Sequence, residues 1–71
     1  MNNSKEALTH IIKAMQADIE DLMNYVDIAA NDIGEGRQNS AIGALCGIDG
    51  NLERIASFLS AARAIHRMPT F

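Results

Sequence analysis

Covalent cross-links cannot stabilise this chain, because its 71 residues include a single cysteine. The lone thiol of Cys46 leaves no disulfide within the chain and is typical of proteins kept in a reducing compartment. The start of the chain also lacks the basic and then apolar order of a secretory leader. We therefore expect a cytoplasmic protein whose fold depends on noncovalent packing.

Long apolar runs and an excess of basic residues are absent as well. The longest apolar run, 41–48, contains Gly43 and Gly47 and is much shorter than the roughly 20 residues that span a bilayer. The net charge is −3, whereas duplex DNA binders carry a broad basic surface. The sequence thus predicts no membrane partner and argues against nucleic acid as a partner.

Residue sets that carry chemistry are missing too. The chain assembles no Ser/His/Asp or Cys/His set, no glycine-rich phosphate loop and no Glu-x-x-His pair of the kind that binds metal in helical bundles. We expect no catalytic residue, no cofactor and no metal, and hence no enzymatic activity. One helix face carries an acidic ladder that is predicted to be solvated rather than to hold a cation. The ladder consists of Glu20, Asn24, Asp27 and Asn31.

The chain does have a seven-residue apolar repeat in each half. Apolar residues at alternating steps of four and three place one stripe of side chains toward a partner helix. Each half is therefore predicted to form one amphipathic helix. The first stripe comprises Leu8, Ile12, Met15, Ile19, Leu22, Val26, Ala29 and Ile33. The second stripe comprises Ala41, Leu45, Ile48, Leu52, Ile55, Leu59, Ala62 and His66.

Folding the second stripe back on the first pairs the two stripes in an antiparallel register. Leu22 then faces Leu52 and the small Ala29 faces Leu45, so side-chain volumes are balanced. The predicted fold class is all-α, a helical hairpin of two long antiparallel helices. One seam leaves much apolar surface open to water, so we expect the hairpin to dimerise into a four-helix bundle or a higher homo-oligomer.

The whole chain, 1–71, is predicted to be a single helical-hairpin domain. Gly34 is expected to take the left-handed conformation that ends the first helix, with Gly36 as a second flexible point in the turn. Gly47 and Gly50 leave two alternatives open for the second helix, which is either continuous or broken near 47–50. The predicted bounds are about 4–33 for the first helix, about 34–39 for the turn and about 40–67 for the second helix.

Two surfaces outside the seam, one on a flank of the hairpin and one on the far side of the second helix, are candidates for contact with other molecules. Apolar residues on one flank are predicted to form the oligomer interface, and Cys46 is expected to pack as a small, at least half-buried residue beside the seam. Small residues on the side of the second helix opposite the seam form either a contact face or a bland exposed side. The flank comprises Ile11, Tyr25, Phe58 and Ile65, and the small-residue stripe comprises Gly43, Gly47, Gly50, Ser57, Ala61 and Ala64.

Basic residues gather at the tip of the predicted hairpin, where the first helix begins and the second ends. This basic tip is a candidate site for an anion or a partner, because guanidinium groups bind phosphate and carboxylate oxygens bidentately. We predict a small non-enzymatic protein-binding regulator or adaptor that acts as a homo-oligomeric bundle. The alternative function is binding of a small anionic ligand or nucleotide at the basic tip. The tip comprises Lys5, Lys13, Arg63, His66 and Arg67.

Overall fold

The computed structural model describes the backbone of residues 3–68 and the side chains of residues 4–68. Three helices follow one another, α1 (Asn3–Gly34), α2 (Gln38–Leu45) and α3 (Asp49–Arg67), and the described part contains no strand. Helices α2 and α3 both pack against α1, which gives a rod of 54 × 14 × 13 Å. The predicted all-α hairpin is confirmed, with α1 as one arm and α2 followed by α3 as the other.

The turn between α1 and α2 is closed by Gly36 rather than by Gly34. Gly36 has a φ of 81°, whereas Gly34 is the last residue of α1, so the prediction that Gly34 takes the left-handed conformation is wrong. The Arg37 N–H donates to the Asp32 carbonyl at 2.8 Å, and the Gly36 N–H donates to the Ile33 carbonyl at 3.1 Å. These two bonds form a Schellman motif, which places the left-handed residue two positions after the helix.

The second arm is interrupted between α2 and α3, so the alternative of a break is the one that the structure adopts. At the break the Cys46 N–H bonds to the Gly43 carbonyl and the Ile48 N–H to the Leu45 carbonyl, at 3.2 and 3.3 Å. These are the three-residue steps of a tightened helical turn. Cys46 and Ile48 keep right-handed helical dihedrals, so the chain does not change direction. The apolar repeat therefore passes through the break in phase.

The seam between the two arms is rotated relative to the predicted one. Four of the eight residues in the first predicted stripe and five of the eight in the second are buried or half-buried, and the others are exposed to water. For most of the exposed stripe residues, the residue that comes immediately before it in the sequence lies toward the opposite arm instead. The exposed members are Ile12, Ile19, Val26, Ile33, Leu52, Leu59 and His66. The positions that replace them in the seam include Ile11, Asp18, Asp32, Asn51, Phe58 and Ile65.

The hairpin buries little apolar surface. Ala29 and Ala41 are the only buried apolar side chains among residues 4–68, and no side chain in that range is fully buried. The two packed arms therefore leave their large apolar residues half-buried or exposed. A chain of this size with so small a core is a marginal fold unless further surface is covered.

Candidate interaction surfaces

A polar cluster lies near the middle of the seam. Asp18 of α1 is 8% exposed and Asn51 of α3 is 5% exposed. The Asn51 amide nitrogen donates to Asp18 Oδ1 at 2.9 Å. Arg54 donates from Nε to both carboxylate oxygens, at 3.0 and 3.1 Å, and from Nη2 to Oδ1 at 2.9 Å. The carboxylate of Asp18 is thus satisfied entirely by residues of the opposite arm.

The electrostatics of this cluster keep Asp18 ionised. The hydrogen bond from the Arg54 guanidinium lowers the pKa of Asp18, the Asn51 amide acts in the same direction, and partial burial opposes both. The same hydrogen bond raises the pKa of Arg54, whose side chain remains 56% exposed. A carboxylate that stays ionised and is bound by a guanidinium and an amide of the opposite arm is suited to holding two helices together.

A continuous apolar face runs along one side of the hairpin. At the turn end, Val26 and Ile33 of α1 line one groove together with Ile42 and Leu45 of α2. At the other end, Ile12 lines a groove with His66 of α3. Both arms therefore contribute to the same side. The apolar face, as we use the term, comprises Ile12, Ile19, Val26, Ile33, Leu45, Leu52 and Leu59.

Every member of the apolar face except the half-buried Leu45 is exposed, which is unusual for large aliphatic residues. Ile12 is 55% exposed, Ile33 is 54% exposed and Leu52 is 48% exposed. The residues recur every seven positions, so their side chains are aligned along the rod as they are in a helix seam. Large aligned apolar residues of this kind mark surfaces that contact another molecule.

The predicted oligomer flank contributes mainly to the hairpin itself. Ile11, Phe58 and Ile65 are half-buried along the seam, while Tyr25 is 43% exposed. Their role in an interface between copies stays a prediction. The rotation of the seam nevertheless moves most large exposed apolar surface to the apolar face, on the other side of the hairpin.

The small-residue stripe is an open surface. A Cβ atom added at Gly43 or Gly47 would meet no atom within 4 Å, and one added at Gly50 would lie 3.4 Å from Arg54 Nη1. Ser57 and Ala64 are exposed, and Ala61 is half-buried. The described part of the hairpin therefore does not require Gly43 or Gly47 to be small, and the stripe offers a nearly flat face to a partner.

The basic tip does not form a convergent site. All five of its side chains are exposed, but only Lys5 and His66 line the groove at this end. Arg67 instead donates from Nε to the Arg63 carbonyl at 3.2 Å, within its own helix. A phosphate held at one point would need several of these groups to point toward it. The geometry therefore offers basic potential at the tip without an assembled pocket.

The remaining polar candidates lie in water. The acidic ladder is exposed along its length, His10 is exposed, and the described residues contain no group of three or more His, Cys, Asp or Glu side chains placed to hold a metal ion. Cys46 is also exposed, so the prediction that it packs beside the seam is wrong. Arg37 pairs with Asp32 at 2.7 Å and with Glu35, which fastens the turn.

Comparisons with known proteins add no identification. No protein-family model, no curated protein and no solved structure matches the chain. Over residues 3–68, none of the helices combines the length and the apolar character needed to cross a membrane.

Proposed function

We propose that this chain is a small non-enzymatic regulator or adaptor that binds another protein and acts as a homo-oligomeric helical bundle. The observation that carries the proposal is the apolar face, a set of Ile, Leu and Val side chains along the rod that, apart from the half-buried Leu45, no other part of residues 4–68 covers. Covering it by another copy supplies the core that a single hairpin lacks and leaves the outer surfaces for a different partner.

Two outer surfaces are candidates for that partner, the small-residue stripe and the basic tip. The stripe is favoured, because open Gly and Ala residues allow close approach of another helix, whereas the tip residues do not converge. Ala64 is exposed, so Ala64→Leu adds bulk to the stripe without entering the seam. Arg63→Gln combined with Arg67→Gln removes charge from the tip and leaves the fold nearly intact, because exposed charges contribute little to stability.

The test uses the tagged chain as bait in extract of its native cell, with both variants as matched baits. We expect a specific protein to be retained by the unmodified chain and by the Gln double variant, and to be lost with Ala64→Leu. Loss with the Gln variant alone would favour the anion-binding alternative. Failure of the unmodified, assembled chain to retain any protein would contradict an adaptor role.

A further inference from the structure

The hairpin exposes more surface than a compact monomer of its mass. The chain exposes 5252 Å². A compact monomer of 7.7 kDa is expected to expose only about 4300 Å². The difference, about 900 Å², is close to the roughly 800 Å² that each partner buries in a standard protein interface. An interface of ordinary size on the apolar face would thus bring the chain to the surface area of a compact protein.

The two ends of the rod carry opposite charge. We divide the described hairpin at the midpoint of α1, which separates 3–18 and 56–68 at the tip from 19–55 at the turn. The tip half has a net charge of +2 and the turn half a net charge of −5. The tip half contains Lys5, Glu6, Lys13, Asp18, Arg63 and Arg67. The turn half contains Glu20, Asp21, Asp27, Asp32, Glu35, Arg37, Asp49, Glu53 and Arg54.

We propose that a second copy of this chain covers the apolar face in the antiparallel orientation, with the tip of each hairpin beside the turn of the other. The inference rests on the proposed function, because it specifies how the homo-oligomeric bundle is built. The apolar face extends along the rod, so either orientation buries similar side chains. The opposite charges of the two ends decide between the two orientations. Bundled helices lie about 8–10 Å apart, which is close to the Debye length at physiological salt, so the charges of neighbouring hairpins still interact.

The chemistry of the apolar face also favours a copy over a different occupant. Ile and Val on α1 and Leu on the second arm recur every seven residues. The ridges and holes that they form match the same face of a second copy, as a two-fold dimer requires. In the antiparallel dimer each end joins a basic and an acidic segment. In the parallel dimer, two acidic turns of net charge −5 would meet each other.

The test measures distances between spin labels in the intact chain. Cys46→Ser first removes the only native thiol, and labels are then attached at Glu6→Cys near the tip or at Glu20→Cys near the middle of α1, both exposed positions. Residue 6 lies 13 residues from the midpoint, so the two Glu6 labels should be separated by about 40 Å along an antiparallel dimer. The two Glu20 labels should lie at nearly the same level.

Two substitutions test which face is covered. Ile19 lies on the apolar face and Ile28 lies elsewhere on the same helix, and their exposed fractions are similar, 45% and 51%. Ile19→Gln should raise the dimer dissociation constant at least about 10-fold, since each dimer loses two buried side chains. Ile28→Gln is the matched control and should leave the constant nearly unchanged.

Each result has a defined meaning. A long Glu6 distance with a short Glu20 distance, together with selective weakening by Ile19→Gln, supports the antiparallel dimer. Short distances at both positions would mean a parallel dimer and overturn this inference while leaving the proposed function intact. A monomer at high concentration would overturn the assembly in both proposals. Equal weakening by Ile19→Gln and Ile28→Gln would overturn the choice of face.

Discussion

Asp18 and Asn51 face each other across the seam and share a hydrogen bond of 2.9 Å, with both side chains buried. This bond can form only when α1 and α3 are rotated so that these two positions point inward. The apolar stripes alone would allow more than one rotation, because α1 carries large apolar residues on adjacent stripes. We infer that the polar pair, with Arg54, selects one rotation and one register, as buried polar pairs do in coiled coils.

The first prediction concerns the loss of this carboxylate. Asp18→Ala should destabilise the hairpin, because the buried Asn51 amide and the Arg54 guanidinium would both lose their acceptor. Urea denaturation followed by circular dichroism measures the effect. Asp27→Ala is the control, since Asp27 is exposed and belongs to the same helix. Equal midpoints for the two variants would show that the cluster contributes nothing to the fold.

The second prediction is an acid-dependent loss of stability that depends on Asp18. The Arg54 hydrogen bond holds the pKa of Asp18 below its ordinary value, so folding favours the ionised form. This stabilisation is complete above about pH 4, the ordinary pKa of an unfolded Asp, and it is lost as the pH falls through the lowered pKa of the folded state.

Asp18→Asn tests the sign, because an amide mimics the protonated acid. The difference in unfolding free energy between the unmodified chain and this variant should be constant near neutral pH and should shrink below about pH 4. Asp27→Asn serves as the control. A difference for Asp18→Asn that stays unchanged into strong acid would contradict the assignment of Asp18 as a stabilising carboxylate.

The hairpin was predictable because its signals are local and repeated. The seven-residue spacing predicts two long helices, and Gly34 and Gly36 bracket the place where the first ends. Which of the two glycines is left-handed depends on the hydrogen bonds that close the helix, and the bonds from Gly36 to Ile33 and from Arg37 to Asp32 place that conformation at Gly36. The break near Gly47 remained open, since a tightened turn preserves the phase of the repeat.

The rotation of the seam could not be predicted from hydrophobicity. The carboxylate of Asp18 favours an exposed position unless partners for it are known. Its partners, Asn51 and Arg54, lie 33 and 36 residues away, so the local sequence does not reveal them. Placing Ile12 and Ile19 in the seam was the natural apolar choice. The sequence does hold a usable signal, since Asp18 lies seven residues after Ile11 and Asn51 lies seven residues before Phe58. Both polar residues thus fall on the stripes that the structure buries.

The third prediction separates the two turn glycines. Gly36→Ala should cost about 1 kcal/mol or more, because φ is 81° there and a Cβ atom disfavours the left-handed region. Gly34→Ala should be neutral or stabilising by up to about 1 kcal/mol, since Gly34 is helical and an added Cβ meets no atom within 4 Å. Thermal unfolding of the two variants measures both changes. A reversed order would contradict the Schellman ending of α1.

The last prediction contrasts Phe58 with its neighbour Leu59, which lie on two different surfaces of α3. Phe58 is half-buried in the seam and Leu59 is 39% exposed on the apolar face. Phe58→Asp should unfold the hairpin, at a cost of roughly 3 kcal/mol or more, because a carboxylate without a partner would replace an aromatic ring between the two arms.

Leu59→Asp should instead weaken the association of copies while each hairpin can still form, because the new carboxylate remains in water until a second copy approaches. Sedimentation and circular dichroism at several concentrations separate these effects. We expect the Leu59 variant to sediment as a helical monomer at concentrations where the unmodified chain is associated, and the Phe58 variant to remain unfolded at every concentration. If Phe58→Asp leaves a helical monomer while Leu59→Asp leaves a stable oligomer, the interface lies on the flank with Ile11 and Ile65, and the seam assignment is reversed.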